Sequence, residues 1–214
     1  MNRKVIVFGA TGNTGIQICE QLHACSIPHA AFVRCGSENK MVLENTELIV
    51  GDALQCEDIE NAFKTNEFTD VVICLGSRDL KKTQIRTEGS KNIVDVLNKL
   101  SIKCKIHVVS ALGAGNSWSQ LNWFGKLICK ILISNTMNDH TAQEAVITKS
   151  SHEFHIVRPV GLTDGKLSAN VLNQTQGLMP SNQISRADVA LYLVESMLLN
   201  KTGFSSICTL KKQS

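Results

Sequence analysis

Short runs of β-branched and aromatic residues alternate along the chain with longer stretches in which apolar positions recur every three or four residues. Val5-Ile6-Val7-Phe8 opens a strand over 4–9, and a helical pattern follows over about 13–25. His29 to Arg34, Leu48 to Val50, and Asp70 to Leu75 read as the second, third and fourth strands. Between the third and fourth, residues 55–64 put Ile59, Ala62 and Phe63 on one helical face. A helix near 84–100 carries an Ile93, Val94, Val96, Leu97, Leu100 stripe, then Lys105 to Ser110 forms strand five. Phe154 to Arg158 forms strand six, stopped by Pro159. Strands that are apolar on both faces and alternate with helices imply a parallel sheet covered on both sides.

The first strand runs into Gly9-Ala10-Thr11-Gly12-Asn13-Thr14-Gly15, with a helix directly behind it. A helix start carries unpaired N–H groups and the positive end of the macrodipole, so it attracts phosphate. Glycines there let the backbone approach a diphosphate and let the helix pack on the strand. The expectation is an α/β fold: one Rossmann-type domain, residues 1–214, with a doubly wound parallel sheet and helices on both faces. Strand order 3-2-1-4-5-6 follows, with a seventh strand near 204–210.

Composition narrows the classes little. A net charge of +3 over 214 residues argues for no nucleic-acid partner, and no apolar run is long enough to span a bilayer. None of the eight cysteines forms a Cys-x-x-Cys pair and no metal-ligand spacing occurs, so reduced thiols in a cytoplasmic protein are expected. Segment 111–153 holds both tryptophans, Trp118 and Trp123, and reads either as a helix packed on the sheet or as a wall over a flat substrate.

The second strand ends in Arg34, where chains that bind NAD place an acid for the ribose hydroxyls. An arginine fork suits the 2′-phosphate of NADP, with Ser37, Asn39 and Lys40 close behind; an exposed strand-end arginine is the plain alternative. Asp52 is placed to approach the adenine or to cap a helix, and Gly76 permits close approach or simply a turn. The single tyrosine, Tyr192, has Ser196 rather than a lysine four residues on, so the Tyr-x-x-x-Lys proton donor of typical short-chain dehydrogenases is missing. Ser110 stands beside the expected nicotinamide position or caps a turn, His107 reads as structural, and His140 as a helix-start residue or a site group.

These residues resemble an atypical short-chain dehydrogenase of the biliverdin-IXβ reductase/flavin reductase type, within a superfamily that includes nitrogen-metabolite-repressor proteins. The resemblance rests on Gly9 to Gly15, Val33-Arg34, Gly51-Asp52, Leu75 to Arg78, Glu88 to Ile93, Val109-Ser110-Ala111, Asp139-His140 and Ile184 to Asp188. It implies NADP(H) held by Gly9, Thr11, Gly12, Asn13, Thr14, Gly15, Arg34, Asp52, Ala53, Leu75, Gly76, Ser77, Arg78, Ser110 and Pro159. Ser110 would be the catalytic group, with Trp118, Trp123 and His140 as substrate wall. Hydride transfer to a planar conjugated acceptor is implied, with flavin, biliverdin or quinone as substrate to a monomer without membrane partner. The alternative is a redox-sensing NADP(H)-binding regulator without turnover. The reductase pattern has a histidine after the proline of strand six, where this chain has Val160; flavin reduction, whose proton can come from solvent, does not need it.

Overall fold

The computed structural model describes residues 3–41, 43, 46–77 and 84–210. β1 (Val5–Phe8), α1 (Asn13–Ala24), β2 (His29–Val33) and β3 (Glu47–Val50) form the first half of the fold. α2 (Cys56–Lys64), β4 (Asp70–Ile73), α3 (Ile85–Lys99) and β5 (Lys105–Val109) follow. A 3-10 turn at Gly115–Gln120, α4 (Trp123–Ile131) and α5 (Ser134–Lys149) then lead to β6 (Phe154–Pro159). The chain closes with β7 (Gly161–Thr163), β8 (Val171–Asn173), β9 (Gln183–Ser185), α6 (Arg186–Leu198) and β10 (Gly203–Thr209).

The main sheet has the order β3-β2-β1-β4-β5-β6-β10-β8, so the Rossmann order and the strand near 204–210 both stand. β10 pairs parallel with β6, whereas β8 adds an antiparallel edge that the hydrophobic pattern did not announce. β7 and β9 form a separate two-stranded parallel pair.

Alternation along each strand divides the core in two. Val5 and Val7, with Val72 and Val157, face α1 and α6 through Ile18, Leu22, Leu193 and Met197. Ile6 and Phe8, with Val71 and Ile106, face Ile59, Phe63, Ile93, Leu97 and Ile147 of α2, α3 and α5. Both faces are dry, which is why the central strands carry no polar alternation.

A polar row crosses the sheet toward the amino ends of its strands. His107 Nε2 pairs with Asp70 at 2.9 Å, and His155 Nε2 bonds Ser205 Oγ at 3.0 Å. The Tyr192 hydroxyl donates to the same Ser205 Oγ at 3.0 Å. Neither His107 nor Tyr192 lines the large cavity described below; both belong to this row. No helix among the described residues is long and apolar enough to cross a membrane.

Candidate cofactor and acceptor site

The turn after β1 is built as its glycines require. Gly9 takes φ +84°, and a Cβ on it would lie 2.6 Å from the Cys74 carbonyl oxygen. Only glycine combines that backbone with that approach. A Cβ on Gly15 would overlap the Gly9 carbonyl oxygen and come within 2.8 Å of Ala10 Cα, so this glycine lets α1 lie against β1. Gly12 is the N-cap of α1, no side chain caps it, and the first turn holds no acid. The helix therefore presents free N–H donors and an uncompensated positive dipole end.

These donors open onto a cavity of about 730 Å³ along the carboxyl ends of the parallel strands. Thirteen of the residues expected to bind the cofactor line it: Gly9, Thr11, Gly12, Asn13, Thr14, Arg34, Asp52, Ala53, Leu75, Gly76, Ser77, Ser110 and Pro159. Gly15 is not among the lining and acts through packing alone. Arg78 lies outside the described residues. His140 lines the cavity, but Trp118 and Trp123 do not. Trp123 is 77% exposed on the outer face of α4, so the predicted wall is formed instead by His140, Val160 and Leu162. The apolar spacing of α4 looked inward-facing, yet only Cys129 of that helix is buried. His140 also does not start a helix, because α5 begins at Ser134 and carries it one and a half turns in.

The lining includes four guanidinium or ammonium groups (Arg34, Lys40, Arg86 and Arg186) and one carboxylate, Asp52. Arg186 is paired with Asp164 at 2.6 Å and Arg86 with Asp139 at 3.3 Å. Arg34 and Lys40 are exposed, and among the described residues their side chains make no ion pair or hydrogen bond. Asp52 accepts the Leu54 N–H at 3.0 Å, so it shapes the turn before α2 while bordering the cavity. The cavity thus suits a polyanion, with free positive charge concentrated beyond β2.

At the other end, Ser110 is buried and donates to Glu144 Oε1 at 2.6 Å. His140 is held neutral: burial, reinforced by the Arg86 charge and opposed by Asp139 and the neighbouring Gln143 amide, pulls its pKa down to about 3. The Cys74 thiol is pushed well above its ordinary value by burial and donates to the Phe8 carbonyl at 3.2 Å. Neutral His140 carries no spare proton, and the Ser110 and Cys74 hydrogens are already donated within the protein. Arg86, Arg186 and Val160 had been missed as lining residues; Arg86 and Arg186 sit in helix first turns, where an arginine carries no signal of its own in the sequence.

The sequence profile of the NAD(P)H-binding family matches residues 9–199. The chain belongs to that family. Among curated proteins it is 28% identical to an uncharacterised chloroplastic protein of Arabidopsis thaliana over 222 residues, covering 96% of this chain and 75% of that one. Among solved structures it resembles ChuY, an anaerobilin reductase of Escherichia coli O157:H7, with TM-score 0.81 and 22% identity over 99% of both chains. A short-chain dehydrogenase/reductase of Veillonella parvula, solved in complex with NADP, superposes with TM-score 0.79 at 14% identity, covering 100% of this chain and 98% of that one. This member of the NAD(P)H-binding family therefore has a Rossmann-type fold, and its glycine turn and cavity fall within the matched segment.

Proposed function

We propose that this chain is an NADPH-dependent reductase that passes hydride to a planar conjugated acceptor, such as a flavin, a linear tetrapyrrole or a quinone. The observation that carries this reading is a nucleotide-sized cavity at whose reactive end the described residues place no side-chain acid. Reducing an ordinary ketone needs a proton donor at the nascent alkoxide. A conjugated acceptor spreads the added charge and takes its proton from water, so geometry alone is sufficient. The bound nicotinamide supplies the hydride. Main-chain N–H groups at Asn13 and Thr14 receive the diphosphate, Arg34 and Lys40 the 2′-phosphate, and Val160, Leu162 and Pro159 border the acceptor's apolar ring. The likeness to an anaerobilin reductase and to an NADP-bound relative supports both the acceptor class and the cofactor.

Purified protein mixed with NADPH is expected to lose the reduced-nicotinamide absorbance once a flavin, a linear tetrapyrrole or a quinone is added. No oxidation above the protein-free rate with all three classes contradicts the reading. A second reading, an NADP(H) sensor without turnover, is favoured by the exposed apolar stripe of Trp123, Phe124, Leu127 and Ile131 on α4. Equal binding of NADP+ and NADPH, without oxidation by any acceptor, selects it.

A further inference from the structure

Behind Ser110 lies a buried ion pair that neither nucleotide binding nor hydride transfer requires. Arg158 donates through Nε to Glu144 Oε1 at 2.9 Å and through Nη2 to Glu144 Oε2 at 2.7 Å. Its Nη1 donates to Asn116 at 2.7 Å, and its guanidinium lies 4.0 Å from the centroid of the Phe204 ring. Glu144 and Arg158 are both almost wholly buried. Gly115, at φ +54°, makes room for the pair: a Cβ there would stand 2.5 Å from Glu144 Oε2 and 3.0 Å from Arg158 Nη2. Burying two charges is costly even when they are well paired, so stability alone is a weak reason for such an arrangement.

We propose that Glu144 and Arg158 are positioning residues that fix the hydrogen-bonding polarity of Ser110. A carboxylate gripped at both oxygens by a guanidinium only accepts hydrogen bonds, and Ser110 gives it its one proton. The Ser110 oxygen therefore turns lone pairs, and no proton, toward the cavity. This rests on the reading above in one respect, that a nicotinamide lies in this end of the cavity. With the diphosphate at α1 and the 2′-phosphate beyond β2, the ring falls on the side of β4 and β5, where Ser110 follows the last residue of β5. The carboxamide NH2 is that ring's hydrogen-bond donor, and Ser110 is its acceptor.

The test compares binding of NADP+ with its acetylpyridine analogue, which keeps the carbonyl and replaces the NH2 by a methyl group. Wild-type protein is expected to prefer NADP+ by about tenfold, the value of one hydrogen bond together with the cost of leaving its acceptor unpaired. In Ser110→Ala the preference falls to near unity. Glu144→Gln, which can donate to the serine oxygen and free the hydroxyl proton, loses it as well. A ratio near unity in the wild type, or a wild-type ratio kept by Ser110→Ala, overturns the proposal. A purely structural pair would lower the melting temperature of Glu144→Gln and leave the ratio untouched, which overturns the role of Glu144. If Glu144→Gln does not fold, Ser110→Ala decides alone. Failure of the wild type to bind either nucleotide defeats the cofactor reading itself, and is distinct from binding both equally.

Discussion

Lowering the pH from about 7 to about 5 is expected to remove about 4 kcal/mol of folding stability, through two histidines that fold as neutral groups. His140 is held down to about 3 by burial and the Arg86 charge, and His155 to about 4 by burial and then by the charges of His107, Lys201 and Lys105. Both start from an ordinary value of 6.5. Below that value the unfolded chain takes up protons that the folded chain refuses, so acid favours unfolding. Each histidine costs about 1.4 kcal/mol per pH unit through the window, until its own folded value is reached. His107, lowered chiefly by burial, acts in the same direction. Asp70 opposes nothing here: hydrogen bonds from His107 and Thr69 outweigh its burial and lower its pKa, so its loss falls below 3.8. Denaturant unfolding at a series of pH values checks this. A flat stability between these pH values contradicts it, and His155→Gln is expected to remove about half of the slope without touching nucleotide binding.

Arg34→Ala is expected to weaken NADPH about 10- to 100-fold and to leave NADH nearly unchanged, because charge-assisted phosphate contacts of about 1.5–3 kcal/mol are lost. Arg34 is exposed at the end of β2, so the loss is expected to shrink as salt rises. Lys40 borders the same part of the cavity and retains part of the attraction. Paired titrations of mutant and wild type with both nucleotides check this, and equal losses for the two contradict a 2′-phosphate contact at Arg34.

The part of the site that was legible in the sequence is the part set by local backbone demands. Gly9 and Gly15 signal their turn because neighbouring chain leaves no space for a side chain, and a helix start follows at once. Arg34 could be placed at the cavity from the sequence because the end of β2 falls beside the turn after β1 in this order of strands. The doubly wound order follows equally from strands that are apolar on both faces. Groups brought together by long-range packing were not legible. Glu144 and Arg158 are fourteen residues apart on different elements, and no local sequence pattern pairs them. Asp139 reaches across to the first turn of α3, where it accepts from the Arg86 and Thr87 N–H groups at 3.2 and 3.0 Å. Periodicity announced a helix at α4 but not which side faces the protein. Its aromatic residues are exposed, whereas Leu121, Cys129 and Met137 of the same segment join the buried core.

The cavity's assignment is tested most directly by calorimetric titration of the wild-type protein with NADPH and, separately, with NADH. The account predicts saturable binding of NADPH at one site, at least about tenfold tighter than NADH, as one charge-assisted contact implies. No heat from either nucleotide, or NADH held as tightly as NADPH, contradicts it.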